Sequence, residues 1–348
     1  MKARFLLFGG AGVLLLFLSV GMSLSLGSAE LPLTQVWGIL LHKLPGIGTL
    51  ITVQWPESAE QIVMKVRFPR VLLAVLVGAC LSLAGAGFQG ILRNPLADPY
   101  TLGVASGSAI GAATLILFGW QFSLLGQWSV PLAAFTTGLI SLWLVIRLAH
   151  SQGKIHIETL ILSGVVAQAF LGSIVSFLVS LSDQVVNEIV FWLMGSLAFR
   201  GWSFSVVLLP CLFLGLIILM GYGRTLNLFA LGERQAAHLG VQVDRTKLVV
   251  LTVSTLLTAV AVSVSGIIGF VGLVVPHLVR LMAGPDYRLL LPMSALYGGI
   301  YVLWADTLAR TLLSPTEIPL GVVTAFLGTP FFAYLLRKKQ RAGKEGEA

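Results

Sequence analysis

The sequence offers few side chains that could carry out covalent or acid–base chemistry. Its five histidines are scattered along the chain and lack the spacing of metal ligands. There is no Gly-x-x-x-x-Gly-Lys-Ser/Thr loop to hold nucleotide phosphates, and no Ser–His–Asp, Cys–His or His-x-x-Glu-His arrangement. Cys80 and Cys211 both fall in apolar runs and suit neither a disulfide framework nor a metal site. We therefore expect a non-catalytic chain with no metal or cofactor of its own.

Charged side chains within apolar runs are equally few. Asp306 and Arg310 are four residues apart, a spacing that places them on one face of a helix, where they could pair with each other. Asp98 and Glu158 fall at the edges of loops. A proton-coupled transporter is expected to carry an ionisable residue deep in a span. The pattern therefore disfavours an ion-coupled secondary transporter, which is kept as an alternative class.

The composition is that of a membrane protein. Of the 348 residues, 57% are hydrophobic and 10% are charged, whereas a soluble domain carries roughly 25% charged residues. The mean hydropathy is +0.94. No globular interior of this size could bury so much apolar surface, which excludes a soluble enzyme, a nucleic-acid-binding domain and a disordered chain. The net charge of +8 comes from basic residues between apolar runs, a pattern typical of loops at a lipid bilayer.

Apolar runs long enough for membrane spans occur ten times, since a helix needs about 20 mostly apolar residues to cross the hydrocarbon core. The runs are Phe5–Leu26, Arg70–Leu92, Thr101–Phe118, Trp128–Ala149, Thr159–Leu181, Phe204–Gly221, Leu248–Gly266, Phe270–Met282, Leu289–Leu313 and Ile318–Leu336. The eighth run is short, and Ile189–Phe199 indicates a partial or interfacial helix, so nine or eleven spans remain alternatives. We predict an all-α, polytopic fold in which residues 1–348 form a single transmembrane domain.

The basic residues also predict the orientation. With ten spans both termini lie on one side, and 16 of the 22 Lys and Arg residues then fall on that side. Because basic loops remain in the cytoplasm, we expect a cytoplasmic N-terminus and a cytoplasmic tail over 337–348. Arg67, Arg70 and Arg310 then face outward. A cleaved signal peptide ending near Gly27–Ala29 is the alternative, but the run is long and its removal would reverse the charge pattern.

Two runs carry small residues at every fourth position, which lets helix backbones approach closely in lipid. The stripes are Ala74, Gly78, Ser82, Ala86 and Gly90, and then Gly103, Gly107 and Gly111. Helix packing is the simpler interpretation, and a smooth wall beside a translocation path is the alternative.

The longest loop on the side of the termini, Tyr222–Lys247, contains a short amphipathic segment. Leu231, Ala236, Ala237 and Leu239 recur at helical spacing near Gly232 and Gly240, which suit the start and the end of a short helix. A solvated connector would not need apolar residues at this spacing. The segment therefore favours a helix that docks into a groove on a soluble partner.

Several long motifs, in order, resemble one family of membrane proteins. The first includes Arg67–Arg70, Gly85–Gln89 and Asn94–Pro99, with Leu102–Gly103 after it; the second is Ser265–Arg280; the third includes Ala305–Arg310 and Ile318–Pro330. Together they are similar to the iron-siderophore, haem and vitamin B12 permeases of binding-protein-dependent ABC importers, and the resemblance runs from about Phe5 to Leu336.

The resemblance implies a vitamin B12-permease-like homodimer in the bacterial cell (inner) membrane. Two cytoplasmic ATPase subunits would bind it from inside, and a periplasmic or lipid-anchored binding protein would deliver the substrate from outside. The positions that match the family's ATPase coupling loop are Leu231, Gly232, Glu233, Ala236, Ala237, Leu239 and Gly240. Arg67, Arg70 and Arg310 match arginines that pair with glutamates of the binding protein, a role suited to the planar guanidinium fork.

The resemblance also implies a cytoplasmic gate. Asn94 and Leu96 match one gate loop, and Ile157 and Glu158 fall where a second gate segment is expected. Glu158 departs from the small hydroxyl residues of the vitamin B12 permease, which weakens the case for cobalamin. The expected function is import of a metal chelate, foremost a ferric siderophore. Haem and cobalamin are alternatives, a molybdate-type oxyanion is a more distant one, and a non-transporting scaffold is a different class.

Overall fold

The fold is almost entirely helical in the computed structural model, which describes residues 2–27, 31–46, 48–120, 125–151 and 154–345. The α-helices are α1 (Lys2–Ser25), α2 (Leu33–His42), α3 (Glu57–Gln61), α4 (Phe68–Leu92), α5 (Val104–Phe118), α6 (Ser129–Ala149), α7 (Ile157–Ser180), α8 (Val186–Leu193), α9 (Trp202–Gly221), α10 (Gly223–Phe229), α11 (Glu233–His238), α12 (Val243–Ser265), α13 (Val271–Ala283), α14 (Tyr287–Thr311) and α15 (Leu320–Glu345). A π-helical turn, Ile62–Arg67, leads into α4, and strands β1 (His150–Ser151) and β2 (Lys154–Ile155) pair antiparallel. The predicted all-α class is confirmed.

The membrane spans agree with the apolar runs of the sequence. Within the described ranges, seven helical segments are long and apolar enough to cross a membrane: Leu6–Ser25, Glu57–Leu92, Gly126–Ala149, Ile157–Ser180, Trp202–Gly221, Val243–Ser265 and Tyr287–Thr311. Three shorter apolar helices, Val104–Phe118, Val271–Ala283 and Leu320–Tyr334, occupy the third, eighth and tenth predicted runs. At 1.5 Å per residue, α13 extends about 20 Å, which is less than the hydrocarbon thickness of about 30 Å. Its connections must therefore enter the depth of the bundle.

Helix α4 forms the centre of the bundle and is buried along nearly its whole length. It packs against α9, α12, α13 and α14. Glycines permit the close approach: a Cβ atom on Gly78 would overlap the carbonyl of Gly298 in α14, and one on Gly85 would overlap the backbone of Gly272 in α13. Gly107 and Gly111 meet α6 in the same way. For these positions the helix-packing interpretation of the stripes is confirmed.

The boundary between the seventh and eighth predicted spans is a short loop, Gly266–Phe270. Gly266 and Phe270 both have positive φ angles, 71° and 68°, which turn the chain sharply between α12 and α13. The hydroxyl of Tyr100, from the loop after α4, donates to the carbonyl of Ile268 at 3.0 Å. The backbone of Ser196, just after α8, donates to the carbonyl of Ser265 at 2.8 Å. The loop is therefore held by hydrogen bonds from other segments of the protein, as irregular backbone at membrane depth requires.

Candidate functional site

The three predicted docking arginines lie together at one end of the bundle, here called the arginine end. Arg67 closes the π-helical turn, Arg70 lies in the first turn of α4, and Arg310 lies in the last turn of α14. Because α4 and α14 pack antiparallel along the centre of the bundle, the start of one meets the end of the other.

Arg70 bridges two carboxylates of its own chain. Its Nε and Nη2 donate to Oδ1 of Asp306 at 3.0 and 2.9 Å, and its Nη1 donates to Oε1 of Glu317 at 2.7 Å. The Asp306 side chain is 1% exposed, whereas that of Glu317 is 40% exposed. The predicted pair of Asp306 and Arg310 is also present, at a longer 3.7 Å. The sequence pattern missed Arg70 as the main partner because the two residues are 236 positions apart.

Arg67 and Arg310 hold the C-terminal end of α1. Nη1 of Arg67 donates to the carbonyls of Leu24 and Ser25, at 2.6 and 3.0 Å. Nη1 of Arg310 donates to the carbonyl of Leu26 at 2.7 Å, and its Nη2 reaches Oγ of Ser23 at 2.9 Å. The last carbonyls of a helix lack intrahelical donors and carry partial negative charge. These two arginines therefore satisfy and neutralise the end of α1.

A cavity of about 1060 Å³ with both polar and apolar lining residues opens beside this cluster, and we call it the arginine-end cavity. Arg70, Asp306 and Glu317 form one part of its wall, and α8 with the following segment, residues 196–200, forms another part. A second cavity of about 580 Å³ is apolar and lies between α15, the end of α8 and the loop at Ile267.

The predicted amphipathic segment is a helix between two glycines at the opposite end of the bundle. Gly232 has φ 115° and precedes α11, and Gly240 has φ 86° and follows it. Leu231 and Leu239 are exposed, as is Ala237. The structure corrects one expectation: Ala236 is fully buried against its own chain, so it is unavailable to a partner.

An ion pair joins α11 to the base of α12. Glu233 Oε2 accepts a hydrogen bond from Nζ of Lys247 at 2.6 Å, and the Lys247 side chain is only 5% exposed. A charge buried this deeply requires a partner. The ion pair therefore links α11 to α12.

A second polar contact fixes the same end of the bundle. Asp286 caps α14 by accepting from the backbone of Arg288 at 3.0 Å, and it also accepts from the amide of Asn227 in α10 at 2.7 Å. The Arg288 guanidinium and the Asn227 amide hold the pKa of the Asp286 carboxyl well below its usual range. The loop predicted over Tyr222–Lys247 is thus largely helical and anchored to α14.

The predicted gate residues lie on two segments. Asn94 Oδ1 accepts from the backbone of Leu96 at 2.9 Å, which closes a turn directly after α4. Ile157 and Glu158 begin α7, where the helix dipole favours a carboxylate. Asp98, between these segments in sequence, caps the backbone of Tyr100 at 2.9 Å. Burial raises the pKa of Asp98 to about 6.

Gln89 is a structural residue that sequence reasoning missed. Its amide donates to the carbonyls of Gly272 and Leu273, at 3.1 and 3.3 Å, and its Oε1 accepts from Arg280 at 3.2 Å. Pro276 lies four residues after Gly272 and cannot supply the usual helical N–H. The proline was the available signal that the carbonyl of Gly272 needs another donor.

Within the described ranges, no group of three His, Cys, Asp or Glu side chains is placed to hold a metal ion.

Comparisons with known proteins agree with the resemblance seen in the sequence. Residues 14–338 match the FecCD transport family. The uncharacterized ABC transporter permease protein YvrB of Bacillus subtilis is 43% identical over 96% of this chain and 94% of its own length. The hemin transport system permease protein HmuU of Yersinia pestis is 38% identical over 97% of this chain and 98% of its own.

A third relative is the cobalamin import system permease protein BtuC of Halobacterium salinarum, 46% identical over 82% of this chain and 76% of its own. Among solved structures, an inward-facing conformation of a metal-chelate type ABC transporter matches with a TM-score of 0.81. That chain is 34% identical, and the match covers 97% of this chain and 99% of the other. The matches extend over nearly the whole fold, including both ends of the bundle. The chain therefore belongs to the FecCD transport family and is a multi-pass protein of the bacterial inner membrane.

Proposed function

We propose that the chain is the permease subunit of an ATP-driven ABC importer that carries a ferric siderophore across the membrane. The observation that carries the proposal is the placement of two different contact elements at opposite ends of one helical bundle. The arginine cluster lies at one end and the exposed face of α11 at the other. Relatives named as permeases for hydroxamate and citrate complexes of Fe(3+) support this class of substrate.

The arginine end would face outward and receive the binding protein. Of the carboxylates that hold Arg70, Asp306 is buried, whereas the Glu317 side chain is 40% exposed. An incoming glutamate could replace Glu317 on Nη1 and Nη2 of Arg70, while Asp306 keeps its hydrogen bonds from Nε and Nη2. Arg67 and Arg310 would contribute positive potential around the Arg70 guanidinium, where the incoming glutamate would bind.

The opposite end would face the cytoplasm and contact the ATPase. Leu231, Ala237 and Leu239 provide an exposed apolar surface on and beside α11, as a helix docking into a groove requires. The pair of Glu233 and Lys247 would transmit closure of the ATPases to α12. ATP hydrolysis would take place on two separate partner subunits.

A second copy of the chain would complete the path. The apolar cavity along α15 is open, and Phe326 beside it is 76% exposed. A homodimer would cover such a surface and enclose a smooth path for a bulky chelate. Asn94, Leu96, Ile157 and Glu158 would form the cytoplasmic gate of this path.

The test is uptake by cells that lack this gene. ⁵⁵Fe-labelled ferric siderophores, labelled haem and labelled cobalamin are offered in parallel to the deletion strain, with and without the cloned gene. Loss and restoration of uptake confined to a ferric siderophore supports the proposal. Loss of uptake confined to haem or cobalamin would support the importer proposal but contradict the ferric siderophore as its substrate. Unchanged uptake of all ligands would contradict the proposed substrate class.

A further inference from the structure

Phe199, on the segment between α8 and α9, is fully exposed, and no other large apolar side chain among the described residues is more exposed. It lines the arginine-end cavity, as Arg70 and Glu317 do. Its backbone has a φ angle of 57°, an uncommon conformation for a bulky residue. Glycine or asparagine would adopt this conformation more easily and would place no aromatic ring in water. Folding alone therefore does not explain a phenylalanine at this position.

The segment that carries Phe199 is attached to the bundle on both sides. Before it, the carbonyls of Met194 and Gly195 accept hydrogen bonds from the backbone at the start of α15, each at 2.9 Å. After it, Nε1 of Trp202 donates to the carbonyl of Met64 at 3.0 Å. A strained conformation persists only where surrounding contacts impose it. The ring is therefore presented by a fixed backbone, and a partner that buries it need not first order a flexible loop.

The surroundings of Phe199 are those of a protein interface and not of a lipid-facing surface. The same cavity wall carries the carboxylates of Glu188 and Glu317, and Gln127 and Asn187 add uncharged polar groups. Charged side chains are unfavourable in hydrocarbon, so this face lies in water or against another protein. Aromatic residues surrounded by a polar rim supply much of the affinity of protein–protein interfaces. The ring therefore fits a soluble protein partner better than the acyl chains of a bilayer.

The three arginines at this end are already bound within the chain. Arg67 and Arg310 donate to carbonyls at the end of α1, and Arg70 is held by Asp306 and Glu317. A partner glutamate that replaces Glu317 forms one ion pair and breaks another, so the exchange orients the partner but adds little net affinity. Burial of an exposed apolar ring has no such compensating loss. The net affinity of docking must therefore come mainly from apolar contact.

We infer that Phe199 is the aromatic anchor on which the external binding protein docks, and that it enters an apolar pocket on the surface of that protein. The inference rests on the proposed function and specifies how its docking step obtains affinity. Phe199 and Arg70 line one cavity, so a single partner surface can contact both. Docking should also tolerate salt, because salt screens exposed ion pairs but does not weaken apolar burial.

The first experiment identifies what covers Phe199 in living cells. The photoreactive residue p-benzoylphenylalanine, which keeps an aromatic ring, replaces Phe199 in the full-length permease. After irradiation, products cross-linked to the permease are purified and identified by mass spectrometry, with an unirradiated sample as the control. We expect a cross-link to the substrate-binding protein of the importer. Cross-links only to a second copy of this chain or only to lipid, or no product at all, would overturn the inference.

The second experiment measures the affinity of that binding protein for the purified complex of permease and ATPase in nanodiscs. Phe199→Asn removes the ring and suits the positive φ angle, so this variant should remain folded, which size-exclusion profiles and melting temperatures check. Phe199→Trp keeps an aromatic ring. Leu50→Asn is the matched control, since Leu50 is an exposed apolar side chain between α2 and α3 that does not line the cavity.

We expect Phe199→Asn to raise the Kd about tenfold or more, as loss of a buried aromatic anchor does. Phe199→Trp should bind more tightly than Phe199→Asn, and Leu50→Asn should match the wild type. The wild-type Kd should change less than about threefold between about 0.05 and 0.5 M NaCl. A normal Kd in Phe199→Asn, an equal loss in Leu50→Asn, or a steep dependence on salt would overturn the inference.

Transport in proteoliposomes separates this inference from the proposed function. Phe199→Asn should raise the concentration of binding protein needed for half-maximal ATP-driven uptake and leave the maximal rate unchanged. An unchanged half-maximal concentration would overturn the anchor role, and ATP-driven uptake by the wild type would still support the importer. Absence of ATP-driven uptake in the wild type would contradict the proposed function and the inference with it.

Discussion

The carboxylate of Asp306 should be one of the most stabilising side chains at the arginine end. It accepts hydrogen bonds from Nε and Nη2 of Arg70 at 2.9–3.1 Å and lies 3.7 Å from Nε of Arg310. Asp306→Asn preserves the shape of the side chain but removes its charge. Removing one partner of a buried ion pair costs about 3–5 kcal/mol. Because Glu317 still contacts Arg70, we expect a loss near the lower limit, about 3 kcal/mol.

Glu317→Gln is the matched control for this prediction. It makes the same chemical change on the same arginine, but the Glu317 side chain is 40% exposed. Exposed ion pairs contribute about 0–1 kcal/mol, so the two variants should differ by roughly 2 kcal/mol or more. Reversible unfolding in mixed detergent micelles, followed by circular dichroism, measures both free energies. Equal losses, or a loss below about 1 kcal/mol for Asp306→Asn, would refute the argument from burial.

Three further predictions concern the rest of the bundle. Glu233→Lys should lower uptake per ATP hydrolysed in the reconstituted importer. The double variant Glu233→Lys with Lys247→Glu, which reverses the ion pair, should restore it. If the double variant does not recover, the proposed coupling of α11 to α12 through this pair is contradicted. Asp286→Asn keeps a side chain that can cap α14 but removes the charge that pairs with Arg288, so it should cost up to about 1 kcal/mol at about pH 7. Since the folded pKa of Asp286 lies below the ordinary 3.8, its contribution is complete above that value and declines as the pH falls below it. The difference in melting temperature between the wild type and Asp286→Asn should therefore shrink progressively as the pH is lowered below 3.8, and a constant difference would contradict the assignment. Gly85→Ala should reduce the amount of folded permease in membranes, because its Cβ atom would overlap the backbone of Gly272. Gly172→Ala is the control and should be tolerated, since its Cβ atom would meet no atom within 4 Å. Similar abundance of the two variants, measured by in-gel fluorescence, would count against close packing of α4 and α13.

The membrane-spanning helices could be predicted from the sequence because a helix needs about 20 mostly apolar residues to cross the hydrocarbon core. Even the short eighth run corresponds to a short helix, α13, preceded by a glycine turn. The glycines at 232 and 240 likewise indicated α11, since a short helix between loops needs residues that tolerate positive φ angles. Features of this kind can be predicted from the sequence because each depends on residues only a few positions apart.

The polar contacts of the candidate sites could not be predicted in the same way. Arg70 meets Asp306 across 236 positions, and Arg280 meets Gln89 across 191. Only the packing of α4 against α13 and α14 joins them. The burial of Ala236 beside the exposed Ala237 depends on how α11 lies against the bundle, which helical spacing alone does not determine. The docking, coupling and gate assignments remain predictions for the experiments above.

The most direct test of the account is transport into proteoliposomes that contain this permease with its ATPase and binding protein. The binding protein and an ⁵⁵Fe-labelled ferric siderophore are supplied on one face, and ATP on the other. We predict iron accumulation that requires hydrolysable ATP on the face of α11 and continues in the presence of a protonophore. Accumulation driven by a proton gradient without the ATPase would contradict the central claim.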